Sequence, residues 1–193
     1  MSSFLVLLLL FGGPEISKPV PVLPVGSSAQ GNAMVWRSEE MAVHMEPVNS
    51  EAFFKWLLEH GVDQSLFANK KLNEFLSSFA VFRVSLYNTG TESLIFNPEQ
   101  MQFRNKVGPV GYLVNFGDVL RTQHGHSDPR LEKLAKVFEQ ESLELRPGLK
   151  VGRIVAFKPM GRKFPRKVQL VINQIYYGIT STRLECGYQV RYP

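Results

Sequence analysis

The sequence predicts a mainly β protein, an antiparallel β-sandwich interrupted by two or three short helical insertions. Short segments in which polar and apolar residues alternate recur through the last two thirds of the chain, and a period of two is typical of half-buried strands. Turn-forming residues separate these segments at short intervals, as in Asn88-Thr89-Gly90-Thr91 and Arg146-Pro147-Gly148, which favours a sandwich. The chain has 193 residues, of which 44% are hydrophobic and 20% charged, so it can bury the core of one globular domain.

The N-terminus predicts export from the cytoplasm. Residues 4–11 form an unbroken apolar run that is much shorter than the roughly 20 residues that cross a bilayer. The run resembles the core of a secretory signal, and the small residues Ser27 and Ala29 offer a cleavage site before Gln30. Two features are unlike those of a secretory signal. No Lys or Arg precedes the run, and a long proline-rich stretch follows it. We expect a periplasmic or extracellular protein; the alternative is a cytoplasmic protein whose apolar segment docks on a partner.

Proline alternates with small or apolar residues between residues 16 and 31. Because proline fixes φ and lacks a backbone donor, this stretch is predicted to be an extended tether and not a packed element. The expected organisation is an apolar N-terminal segment and proline-rich arm over residues 1–33, followed by the β-sandwich domain over residues 34–193.

Three stretches have the residue spacing of helices. The first follows a strand over residues 41–48, is capped by Asn49 or Ser50, and ends at Gly61. A second covers residues 69–77, and a third begins at Asp128-Pro129, a favourable pair for a helix N-terminus. The other predicted strands cover residues 79–87, 94–96, 101–104, 111–116, 151–157, 168–176 and 180–192.

Two segments carry a resemblance to a known family. They are FAVFRVSLYNTGTESLIFNPEQMQF, with a strand that ends in an Asn-Thr turn, and LRPGLKVGRIVAF, a Pro-Gly turn that leads into an apolar strand. In this order, and followed by a long hairpin, they resemble the immunoglobulin-like β-sandwich domains of bacterial secreted proteins and lipoproteins. The resemblance covers residues 79–192 and implies a binding or stability module without catalytic residues. The helical insertions differ from the bare sandwich, and no cysteine follows the apolar run as a lipoprotein would require.

The loop His124-Gly125-His126-Ser127-Asp128 is the first candidate site. Two imidazoles and a carboxylate at alternate positions could face one way in an extended loop, and His124, His126 and Asp128 are suitable ligands for a divalent metal ion. His44 or His60 could supply a fourth ligand. Asp128 has a competing role as the cap of the helix that begins at Pro129, so an exposed polar loop is the alternative.

A long basic stretch is the second candidate. No Asp or Glu occurs between Glu144 and Glu185, and five of its cations are predicted to bind an anion or a partner: Lys158, Arg162, Lys163, Arg166 and Lys167. They lie in KPMGRKFPRK, which is predicted to be a projecting loop with Phe164 at its tip. Its targets could be an acidic protein face, anionic headgroups or nucleic acid, of which the last is disfavoured because no reading module is recognised. The alternative is a solvated loop that protects the sheet edges from aggregation.

Two further residues carry predictions about surface and core. Trp56, on the first helix, is predicted to be partly exposed and to contact a partner. Cys186 is the only cysteine, so no intrachain disulfide can form, and we expect it to be a small core residue.

No segment holds the set of residues that a known catalytic chemistry requires. The sequence has no Gly-x-Ser-x-Gly nucleophile motif, and Gly108-Pro109-Val110-Gly111 lacks the spacing and the lysine of a phosphate-binding loop. We therefore expect neither an enzyme nor a bound cofactor. The predicted function is that of a noncatalytic, envelope-associated subunit that binds another protein, and the alternative is a module that binds a metal ion or an anion.

Overall fold

A computed structural model describes residues 13–20, 27–121, 128–138 and 140–192, and it confirms a mainly β protein. The twelve described strands form one antiparallel sheet that curls into a half-barrel, in the order β1-β12-β11-β7-β8-β10-β5-β4-β3-β2, with β6 and β9 paired beside β11. The strands are β1 Glu15–Val20, β2 Ser27–Gln30, β3 Ala33–Arg37, β4 Met41–Val48, β5 Ala80–Asn88, β6 Leu94–Phe96, β7 Met101–Arg104, β8 Pro109–Leu113, β9 Leu143–Leu145, β10 Lys150–Pro159, β11 Lys167–Tyr177 and β12 Thr180–Arg191.

Helices occupy the connections between strands. The described α-helices are α1 Ser50–Glu59, α2 Lys70–Ser77, α3 Phe116–Arg121 and α4 Pro129–Lys136, with short 3-10 helices at Gln64–Ala68 and Pro98–Gln100. The three predicted helices are confirmed, together with the predicted caps at Asn49 and Asp128, whose side chains accept hydrogen bonds from backbone N–H groups of the first turn. Within the described part of the chain, no helix is both long and apolar enough to cross a membrane.

The predicted strand over residues 111–116 is wrong in its second half. Strand β8 ends at Leu113, and α3 begins at Phe116. Asn115 and Asp118 explain the change, because each side chain accepts a hydrogen bond of 3.0 Å from the backbone N–H of the other. This reciprocal arrangement is a capping box, which stabilises a helix start at the place where the strand would have continued.

The sheet is buried on both faces along β5 and β10. Phe82 and Val155 point into the half-barrel and belong to the inner core, whereas their neighbours Val81 and Ala156 point outward. The outward residues form a second core with the apolar faces of the helices, to which Phe53 and Leu131 contribute. Side chains alternate across a strand, so these two strands separate an inner core from an outer, helix-covered one.

The predicted tether is wrong over its described residues. Strand β1 pairs with β12, with Glu15 opposite Arg191, and β2 pairs with β3. The sheet therefore begins before residue 34. Proline is compatible with this pairing because β1 is an edge strand of the sheet and Pro19 lies in the register shift between Ser17 and Val20. The apolar run over residues 4–11 and the centre of the arm lie outside the described residues.

Cys186 is completely buried in the inner core, as predicted. Burial raises the pKa of its thiol to about 11, and burial also raises the pKa of Tyr188, two residues along the same strand. Both groups are neutral when protonated, so the interior holds their protons to a higher pH than water does.

We expect the free energy of unfolding to fall as the pH rises above about 9. The unfolded chain releases the Cys186 proton near its ordinary pKa, whereas the folded chain keeps it until about pH 11, and a difference of about two pH units corresponds to about 2–3 kcal/mol. The stabilisation is complete below pH 9 and is lost as the pH rises through 11. Urea unfolding at several pH values checks this, because Cys186→Ala should show a shallower alkaline decline than the wild type. Parallel declines in the two proteins would contradict it.

Candidate anion-binding surface

The metal-site prediction can be followed only at Asp128. His124 and His126 lie outside the described residues. The Asp128 carboxylate accepts the N–H of Arg130 at 3.0 Å and lies 2.6 Å from the Arg130 guanidinium, and this hydrogen bonding holds its pKa below the ordinary value. Asp128 is thus engaged as a helix cap and an ion-pair partner. Among the described residues, no group of three His, Cys, Asp or Glu side chains could hold a metal ion.

The two histidines considered as a fourth ligand have other surroundings. His60 ends α1, and its Nδ1 lies 2.8 Å from the carbonyl oxygen of Trp56. His44 lies on the outer face of β4, in a shallow cleft that also contains Lys150 and Tyr87.

Trp56 is half-buried, and its indole is partly covered by its own helix. The ring stacks on the His60 imidazole with centroids 3.9 Å apart, while it also packs against the outer core. The partial exposure predicted for Trp56 is confirmed, and its role as a partner contact stays a prediction.

The sequence predicted that the basic loop between β10 and β11 projects with Phe164 at its tip, and this prediction is wrong. Phe164 is only 4% exposed and packs on Phe103, with ring centroids 5.1 Å apart. Its backbone N–H donates to the Tyr192 hydroxyl at 2.6 Å, and Gly111 leaves the space that the ring fills. The loop therefore folds back and closes one end of the half-barrel. Burial of the Phe164 ring stabilises this conformation, and the charged neighbours of Phe164 stay exposed to solvent.

Two of the predicted cations are held over aromatic rings. The Lys158 ammonium lies 4.7 Å from the centroid of Phe75, on α2, and 5.9 Å from that of Tyr112. The Lys163 ammonium lies 4.6 Å from the centroid of Tyr192. Cation–π attraction fixes both charges, so Lys158 faces the outside of the sheet next to α2 and Lys163 faces the closed end.

The sheet brings further cations to this end that the sequence analysis missed. Strand β8 pairs with β10, and the Met160 N–H donates to the Val110 carbonyl at 3.0 Å, so the β7–β8 hairpin lies against the basic loop. We call the resulting surface the basic end; it consists of Arg104, Lys106, Lys158, Arg162, Lys163, Arg166, Lys167 and Arg191. The neighbouring strand β1 places one carboxylate there, Glu15, across from Arg191.

The positive charge of the basic end is not neutralised within the described structure. The ion pairs found among the described residues involve other cations: Lys55, Lys70, Arg83, Arg121, Arg130 and Arg183. At the opposite end of the half-barrel, the turns carry the carboxylates Glu39, Glu40 and Glu92. The same end also carries the exposed cations Arg37, Arg146 and Lys150, so it holds both signs of charge, whereas the basic end is almost wholly positive. Clustered charge of one sign raises the local concentration of the opposite ion.

No known protein family, curated protein or solved structure matches this chain. The functional assignment consequently depends on the surface that the chain itself presents.

Proposed function

We propose that this protein is a noncatalytic, envelope-associated binding module that attaches to a polyanionic surface through its basic end. The observation that supports this most directly is the convergence of eight cations from the β7–β8 hairpin, the β10–β11 loop and the end of β12. Lys and Arg clustered on one face are the electrostatic requirement for binding a polyanion.

The architecture supports a binding role for this end. The loop that carries Arg162 and Arg166 is anchored by buried Phe164 and by the hydrogen bond to Tyr192. Because these anchors fix the loop before contact, little conformational entropy is lost on binding. The immunoglobulin-like arrangement belongs to this proposal, and the long antiparallel strands β5, β10, β11 and β12 support it.

The predicted contact with another protein and the predicted export remain proposals alongside this one. An acidic face on an envelope protein would supply the same negative charge as other polyanions. The metal-binding alternative has less support, because the Asp128 carboxylate is already bonded to Arg130.

We expect reversal of the charge at the basic end to weaken binding to heparin, used here as a model polyanion. Arg162, Arg166 and Lys167 suit the test, because their side chains are exposed and form no ion pair within the described residues. The triple substitution R162E/R166E/K167E should weaken binding on the order of 100-fold, at about 1 kcal/mol for each cation. Titration at two salt concentrations checks it, since the wild-type affinity should fall steeply with salt.

The matched control reverses three exposed cations elsewhere that also form no ion pair within the described residues, K136E/R146E/K150E, and changes the net charge by the same amount. It should retain most of the wild-type affinity. Equal losses in both triple variants would show that only net charge matters, and they would overturn the assignment of the basic end. Failure of the wild type to bind heparin would overturn the proposed function as a whole.

A further inference from the structure

Two apolar side chains protrude from the middle of the basic end. Val107, at the tip of the β7–β8 hairpin, is 94% exposed, and Met160, at the start of the β10–β11 loop, is 64% exposed. Each has cations beside it in the chain, Lys106 before Val107 and Arg162 shortly after Met160. Single exposed apolar residues are common on proteins, but here two occupy adjacent tips within one positively charged surface.

The hairpin tip is built to hold Val107 outward. The Asn105 side-chain oxygen accepts the N–H of Val107 at 2.8 Å and that of Gly108 at 3.0 Å. The Asn105 N–H donates to the Gly108 carbonyl at 2.9 Å, which closes the turn. These bonds leave the valine side chain without a protein neighbour, and they fix the backbone that presents it.

The second tip is held in register with the first. Met160 is tied through its backbone N–H to Val110, on the strand that leaves the hairpin. Pro159, the residue before it, pairs with Gly111 of the same strand. Because both tips are attached to β8, Val107 and Met160 can meet one surface together.

We infer that the polyanionic surface is a lipid bilayer, which Val107 and Met160 enter while the surrounding cations contact anionic headgroups. This inference rests on the proposed function and names its partner. Apolar side chains flanked by Lys and Arg are the pattern of proteins that lie in the membrane interface, where burial of apolar groups and attraction to anionic lipid act together.

The other polyanions fit this surface less well. Binding of a single-stranded nucleic acid uses exposed aromatic rings on which bases stack, but Phe164 is buried, and the rings of Tyr112 and Tyr192 lie beneath the ammonium groups of Lys158 and Lys163. A folded acidic protein would need matching pockets for two separate convex tips, whereas the lipid interface adapts to them. A bilayer has an apolar interior below a layer of anionic headgroups, so protruding aliphatic side chains such as Val107 and Met160 can leave water by entering it.

The test is flotation of the full chain with vesicles of phosphatidylcholine containing 30% phosphatidylglycerol, and with vesicles of phosphatidylcholine alone. The wild type is expected to bind the anionic vesicles. The double substitution V107S/M160S should weaken this binding on the order of 100-fold, about tenfold for each lost apolar side chain, while its affinity for heparin stays within about twofold. The matched control L149S/I179S removes two exposed apolar side chains at the opposite end and should bind like the wild type. All variants carry the same N-terminal apolar segment, so differences between them report on the tips.

An environment-sensitive dye supplies a second readout. Labelled at V107C, with Cys186 buried and protected, the dye should shift its emission to the blue on addition of anionic vesicles, whereas a label at I179C should not. Equal vesicle binding by the wild type and V107S/M160S would overturn the inference and leave the proposed function standing if heparin binding persists. If the wild type binds neither heparin nor anionic vesicles, the inference and the proposed function are both overturned.

Discussion

Replacement of Phe82 by alanine is expected to lower the free energy of unfolding by about 3–5 kcal/mol. Phe82 is completely buried on β5, and its ring contacts three others, with centroids 5.2 Å from Tyr188, 5.6 Å from Phe103 and 6.3 Å from Phe157. These rings belong to β12, β7 and β10, so one side chain joins strands from opposite walls of the half-barrel. The hydrogen-bonded sheet cannot collapse into the space that the ring leaves, and most of the cavity cost therefore remains.

Urea unfolding followed by circular dichroism measures this loss. Tyr87→Ala is the control, since Tyr87 lies on the same strand with its side chain 42% exposed on the outer face, and it should cost less than about 1 kcal/mol. The loss expected for Phe82→Ala is large enough to unfold a domain of ordinary stability. Phe82→Leu then serves as the milder variant, with an expected cost of about 1–2 kcal/mol. Equal effects of Phe82→Ala and Tyr87→Ala would contradict the central position of the ring.

Features that depend on neighbours in the sequence could be predicted. The alternation through Phe82, Val84 and Leu86 identifies the inward face of β5, because the side-chain period of a strand is a local property. The helix starts at Asn49 and Asp128 were found for the same reason, since a cap acts on the backbone of the next three residues.

Features that depend on distant pairing could not be predicted in this way. The tether hypothesis failed because β12, which pairs with Glu15–Val20, lies at the other end of the chain. The basic end was found only in part, since Arg104 and Lys106 join Arg162 through the pairing of β8 with β10 and not through the sequence. The charged neighbours of Phe164 predict an exposed position for its ring. The inner core, which reaches this end of the half-barrel, instead supplies an apolar site for it.

Asn88 shows how a residue that is locally a turn former can have a nonlocal role. The sequence identified the turn that begins there, but not that the side chain is fully buried. Its amide nitrogen donates to the carbonyl oxygens of Glu92 and Leu145, both at 2.8 Å, and its oxygen accepts the Gly90 N–H at 3.1 Å. Asn88 thereby joins the turn after β5 to strand β9, which lies 57 residues further along the chain.

Asn88→Ala is expected to lower the free energy of unfolding by about 3 kcal/mol, since three backbone groups each lose a hydrogen bond worth about 1 kcal/mol. Asn88→Asp should be at least as harmful at neutral pH, because a buried carboxylate would face two carbonyl oxygens and could not donate to them. That arrangement raises the aspartate pKa in the folded state, so the aspartate variant should regain stability as the pH falls towards 4 while the alanine variant does not. Asn32→Ala, at an exposed turn position, is the control and should change stability by less than about 0.5 kcal/mol. If Asn88→Ala is as stable as this control, the buried amide does not hold the turn to β9, and the two ends of that connection must be joined by their backbones alone.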